Sequence, residues 1–105
     1  MRILFDHCTP APLRKYLIHH QVSLAKELGW EQLDNGRLLA AAEAGGFDLI
    51  VSADQGIRHQ QNLTGRRIAL LVLTSPLWPR IRPHVDRIAA AVDGISAGSY
   101  AEFVI

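Results

Sequence analysis

Short apolar runs punctuate this chain, and between them hydrophobic residues recur at helical rather than alternating spacing. Residues 3–6, Ile3-Leu4-Phe5-Asp6, read as a buried strand ending in an acid. Thr9-Pro10 follows as an N-cap with a proline at the first helical position. Leu13, Tyr16, Leu17 and His20 then fall at helical spacing, with Arg14, Lys15 and His19 on the outer face. Residues 22–24 make a minimal second strand, and residues 25–28 a single helical turn ended by Gly29. Asp34 or Asn35 caps the next helix, whose apolar positions are Leu38, Leu39, Ala42 and Ala44, and Gly45-Gly46 ends it. Residues 47–52 form a third strand, a near-continuous apolar run of the kind buried on both faces.

Residues 55–62 are polar and read as a loop or short helix, and residues 67–73 as the most apolar strand. Ser75-Pro76 and Trp78-Pro79 mark a turn, because the residue before a proline is pushed out of helical geometry. A final helix carries Ile81, Val85, Ile88, Ala89 and Val92 on one stripe, with Pro83 near its start, and residues 100–105 make a last edge strand. Strands alternating with helices predict an α/β fold with a small, mostly parallel sheet covered on both sides.

Composition narrows the setting. The 105 residues suit one domain over 1–105. The longest apolar stretches, such as residues 68–73, fall far short of the ~20 residues that span a bilayer. The N-terminus enters a strand with no cleavage site behind it, so no signal peptide is expected. Cys8 is the only cysteine and has no internal disulfide partner, which fits a cytoplasmic protein without a membrane partner.

The net charge of +1 conceals a segregation. Between residues 27 and 54 lie six acids and one base, Arg37; between residues 55 and 85 lie five arginines and no acid. That pattern fits either solvated faces of opposite sign or a polyanion held by arginines while acids act on it. Nine of the eleven bases are Arg, the side chain suited to bidentate phosphate contacts.

Two acids stand out by position. Asp6 ends the first strand and Asp54 follows the third, and ligands of open α/β sheets bind outside the carboxyl ends of the strands. Paired carboxylates there suit a hard cation such as Mg²⁺ or Mn²⁺; read alone, each is also an ordinary cap for the turn or helix after it. Asp34 opens a helix and suits an N-cap. Asp48 lies at the wrong end of its strand and reads as structural, Glu43 as solvated, and Glu27 sits on a turn near the strand ends. Trp30 and Trp78 flank turns and read as packing residues before base-stacking ones.

Arg2-Ile3-Leu4-Phe5-Asp6, Glu27-Leu28-Gly29-Trp30, Asn35-Gly36-Arg37-Leu38-Leu39-Ala40 and Phe47-Asp48-Leu49-Ile50-Val51-Ser52-Ala53-Asp54 occur in that order. Together they resemble PIN-like nuclease domains, in particular the short stand-alone proteins expected to be toxins of prokaryotic toxin–antitoxin modules. The resemblance spans residues 1 to about 73. It implies a three-layer α/β/α sandwich and a ribonuclease that hydrolyses phosphodiester bonds with Mg²⁺ or Mn²⁺. Carried over by position, Asp6 and Asp54 become metal ligands and catalytic groups, with Ser52 as a supporting hydroxyl. The family's middle acid falls at Asn35, next to Asp34, which together complete the ligand set. Gly56 stands where relatives often carry a further acid. Arg58, His59, Arg66 and Arg67 become the substrate-binding groups, and His7 a further contact with RNA. The implied partners are RNA, a small antitoxin protein and a second copy of the chain, with apolar surface over residues 78–92.

The alternative expectation is a catalytically degenerate PIN-like module that binds RNA or a protein partner without cleavage. A receiver-like signalling domain fits less well. It needs paired acids after the first strand, where Asp6 is followed by His7-Cys8, and a lysine late in the sheet, whereas no lysine lies beyond Lys26.

Overall fold

Near-continuous apolar strands suit a parallel sheet covered on both faces, and that is what forms. A computed structural model describes residues 1–54, 56–57 and 65–105. Five strands, β1 (Arg2–Phe5), β2 (Gln21–Leu24), β3 (Leu49–Ser52), β4 (Ala69–Leu73) and β5 (Tyr100–Phe103), pair throughout in parallel in the order β2-β1-β3-β4-β5. Among the described residues three helices accompany them: α1 (Asn35–Ala44), α2 (Trp78–Ile81) and α3 (Val85–Gly94).

The two-residue period of the strands sorts the core into two halves. On one face Ile3, Phe5, Leu49, Val51, Leu71 and Leu73 meet Leu13 and Leu17 from a 3₁₀ turn (Ala11–Tyr16) together with Ile81, Ile88 and Val92. On the other, Leu4, Ile50, Leu70 and Val72 meet Leu38, Leu39 and Ala42 of α1, with Phe47, Ile57 and Ile68. Every residue of β3 and β4 is buried, and each large apolar side chain so buried contributes about 1.5–3 kcal/mol. No helix among the described residues is long and apolar enough to cross a membrane.

The connections place the chemistry. From β1 the chain turns to β2 on one side, and α1 then carries it back past β1 to β3. Strand order therefore reverses between β1 and β3. The β4–β5 crossover uses the same face as the β1–β2 crossover yet travels in the opposite direction along the sheet. Those two crossovers thus have opposite hands, although crossovers between parallel strands are nearly always right-handed.

Three expected elements come out differently. The helix after Thr9 is only a 3₁₀ turn opened by Pro10, with no side-chain cap, because the Thr9 hydroxyl is drawn to Asp6 and Val51. Trp78-Pro79 does not mark a turn but opens α2, where a missing N–H costs nothing. The last helix is interrupted at Arg82–His84 by a 3₁₀ turn containing Pro83, which cannot donate the i→i−4 bond.

Two glycines separate backbone strain from steric contact. Gly29 (φ 74°) ends the 3₁₀ turn Ala25–Leu28 with open space where a Cβ would lie. Gly98 (φ 71°) leads into β5, and its Cβ would lie 2.7 Å from the Arg66 carbonyl oxygen. Gly29→Ala is expected to cost about 1–2 kcal/mol, the left-handed penalty alone. Gly98→Ala is expected to cost clearly more, and the difference between their urea midpoints measures the contact.

Candidate functional site

The carboxyl ends of β1 and β3 are joined by side chains. Asp6, 3% exposed, leaves β1 with its backbone N–H donating to the Val51 carbonyl. Its Oδ1 accepts from the N–H groups of Cys8 (3.1 Å) and Thr9 (3.0 Å), closing the tight turn over residues 6–9. The Thr9 hydroxyl lies 2.7 Å from Asp6 Oδ1 and 2.8 Å from the Val51 carbonyl oxygen. Its one proton serves one acceptor at a time. Ser52, fully buried, donates from Oγ to Asp6 Oδ2 (2.5 Å) and accepts from the backbone N–H of Asp54 (3.0 Å). Asp54 Oδ1 accepts from the Gly56 N–H (2.9 Å), and the Asn35 amide at the start of α1 donates to Asp54 Oδ2 (3.4 Å).

This arrangement brings together Asp6, Ser52, Asp54 and Asn35 from β1, β3 and the N-terminus of α1. They sit at the reversal of strand order, where open α/β sheets bind ligands. Asn35 occupies the position of the implied middle acid as a donor: its amide holds the Asp54 carboxylate where another carboxylate would repel it. Gly56, at the position of the implied further acid, likewise supplies an N–H.

Other assigned residues lie elsewhere. Asp34 caps α1, accepting from the Arg37 N–H (2.9 Å), and its carboxylate pairs with the Arg37 guanidinium (3.2 Å). It does not join Asp6 and Asp54, and among the described residues no three His, Cys, Asp or Glu side chains converge into a metal-binding group. Arg66 and Arg67 precede β4, at the amino end of the sheet and so opposite the acids. Arg66 donates to Glu43 Oε1 (3.0 Å), and the Arg67 N–H donates to Glu43 Oε2 (3.1 Å). This pair is therefore not brought together with the acids, and Glu43 is its partner rather than a solvated acid. Arg58 and His59 lie outside the described residues.

Asp48, also at the amino end, accepts from the Arg2 N–H (2.8 Å). Glu27 accepts from the Leu24 N–H (2.8 Å) and from Arg14 (3.0 Å). Those bonds hold its carboxyl below its ordinary pKa, the backbone bond most strongly. Trp30 packs edge-on against Phe47, as a packing residue would.

Two features escaped the sequence reading. One is Thr9, whose Asp-x-x-Thr spacing from Asp6 allows a side-chain-closed turn as readily as a helix cap. The other is a cleft of about 530 Å³ beside Asp6, walled by Leu24, Ala25, Pro76, Leu77 and Trp78 and rimmed by His7, Lys26 and Glu31. Nothing local in the sequence joins residues 24–26 to 76–78. Cys8 also lines this cleft, and partial burial, then the charges of Asp6 and Asp54, push its thiol pKa up.

The residues fit a hard cation in a limited way. Two carboxylates and water suffice for Mg²⁺, which usually keeps several waters. Among the described residues Asp54 has one donor on each oxygen and Asp6 one on Oδ2, and a carboxylate oxygen can take a further partner. No family model matches the chain, and neither a curated protein nor a solved structure gives a match.

Ser52→Ala would remove the donor to Asp6 and the acceptor for the Asp54 N–H, both in a dry setting. A loss of about 1–3 kcal/mol is expected by chemical denaturation. Because the thiolate is the reactive form, Cys8 should alkylate more slowly near pH 8 than an unperturbed thiol. Asp54→Asn removes one of the charges that raise its pKa and should speed the reaction.

Proposed function

We propose that this chain is a PIN-like domain acting as a Mg²⁺- or Mn²⁺-dependent ribonuclease, the toxin of a pair whose partner is a small antitoxin protein. The observation that carries this reading is the joining of Asp6 and Asp54 through Ser52 at the reversal of strand order. The two-faced parallel sheet, with α1 on one side and α3 on the other, suits the α/β/α sandwich of that class.

Asp54 and the open side of Asp6 Oδ2 would hold the ion, with Asn35 and Ser52 fixing the two carboxylates. When bound, the ion supplies Lewis-acid polarisation of the phosphate and lowers the pKa of a coordinated water. Ser52 ties the Asp6 carboxylate to the Asp54 backbone N–H. Asn35 restrains Asp54 from the α1 side without adding negative charge, which lowers the repulsion that an incoming phosphate meets.

A second reading has its own support. Asp6 is within hydrogen-bond reach of four protein donors, and an amide stands at the implied middle acid. These features favour a degenerate module that binds RNA or a protein without cutting it.

The test incubates purified protein with mixed RNA and Mn²⁺ or Mg²⁺. Asp54→Asn is the cleaner variant, since Asp6 also closes the 6–9 turn. Loss of a ligand should slow cleavage by more than about tenfold, the smaller cost of losing an outer partner. Calorimetric titration with Mn²⁺ should show heat that Asp54→Asn removes. Equal cleavage by wild type and variant would overturn the nuclease reading, and RNA binding without cleavage would favour the degenerate module.

A further inference from the structure

The cleft beside Asp6 is unlike the acid cluster that it adjoins. Its walls are apolar, and one of them is an indole. Trp78 is half-buried and rests against Tyr16, with ring centroids 6.0 Å apart and planes tilted by 37°. Leu77, 56% exposed, extends that wall into solvent, an unusual position for a large apolar side chain at the mouth of a cleft. Leu24, Ala25 and Asp6 also line the cleft. The volume, about 530 Å³, falls in the range of small-molecule sites.

The lining carries two acids, Asp6 and Glu31, against one base, Lys26, so the cleft itself suits a flat ring without charge, and an anionic part of the occupant belongs outside it, toward the exposed bases. Lys26 stands on the rim beside Leu24 and Ala25. Arg80 and Arg82 follow Trp78 within about one helical turn, and both are exposed. These bases lie after β4, at the carboxyl end of the sheet, where Arg66 and Arg67 are not. A flat ring against an indole with phosphate near Arg and Lys describes an unpaired nucleotide in a single strand. A base inside a duplex cannot enter without leaving its stack.

We infer that the cleft is a nucleobase subsite in which Trp78 stacks on one unpaired base of a single-stranded RNA. The inference rests on the nuclease or RNA-binding reading for its substrate, and it adds the residue that grips the strand beside the acids. Trp78 is a binding residue here, not a catalytic one. Leu77 covers the edge of the bound ring, and Lys26, Arg80 and Arg82 meet the backbone phosphates.

The test measures binding with divalent cations chelated, so that cleavage does not contribute. Fluorescently labelled single-stranded RNA, the same strand in a duplex and an abasic strand are titrated with the full chain and read by anisotropy. Trp78→Ala should weaken single-strand binding by roughly ten- to a hundredfold, and Trp78→Phe should keep it to within a few-fold. Leu77→Glu changes an exposed position without disturbing the core and should weaken binding about tenfold by placing a carboxylate at the mouth. The duplex and abasic strands should bind wild type no better than the intact strand binds Trp78→Ala.

Binding unaffected by both Trp78→Ala and Leu77→Glu, or abasic RNA bound as tightly as intact RNA, would overturn the subsite. So would Trp78 fluorescence that shifts with protein concentration alone, which would mean that a second copy fills the cleft. The two readings fail separately. Trp78-dependent binding without metal-dependent cleavage sinks only the nuclease. Asp54-dependent cleavage with normal binding by Trp78→Ala and Leu77→Glu sinks only the subsite.

Discussion

The Asp6 carboxylate is the receptor on which the carboxyl end of the sheet is assembled. It gathers the N–H groups of the 6–9 turn, sits beside the Thr9 hydroxyl and takes the Ser52 proton from β3. A buried acid needs such partners, because desolvating a carboxylate without them costs far more than most single contacts return. The same bonds tie β1 to β3 just beyond the last pair of their ladder, Phe5 and Val51. Removing them would free the 6–9 turn and loosen one wall of the cleft.

Around this point the fold divides its labour along the strand axis. At the carboxyl end lie both acids, the aromatic cleft and the exposed arginines after β4. At the amino end lie Asp48 with the Arg2 N–H and Glu43 with Arg66 and the Arg67 N–H. These amino-end pairs hold the start of β1 and the approach to β4 in place. Charge that looks like two opposed blocks in the sequence is folded into local pairs at both ends, Glu43 with Arg66 at one and Glu27 with Arg14 at the other.

The pattern of apolar residues made much of this architecture legible. Strands rich in Leu, Ile and Val, separated by helical stretches, have few alternatives to a parallel sheet, and Asp6 and Asp54 could be placed at strand ends from that alone. Gly29 and Gly46 take the left-handed backbone that follows the turn and the helix before them. What stayed hidden depends on contacts distant in sequence. Thr9 has the composition of a helix cap, and only its approach to Val51, 42 residues away, shows why it does not act as one. Arg66 and Arg67 look like a phosphate patch until the direction of β4 sets them at the far end. The cleft unites residues around 25 with residues around 77, and no local pattern encodes that meeting. Asp34 was ambiguous for a simpler reason: the same carboxylate caps a helix or binds a cation, and Arg37 decides by position.

One consequence concerns how the two acids would fare over evolutionary time. Asp6 has a folding role that does not depend on any reaction, whereas Asp54 is more open and, among the described residues, holds fewer donors. A lineage that abandoned chemistry would go on keeping Asp6 under selection for foldability while Asp54 was released to drift. Invariance at position 6 among descendants would thus say nothing about activity, and the residue found at position 54 would separate working copies from relics.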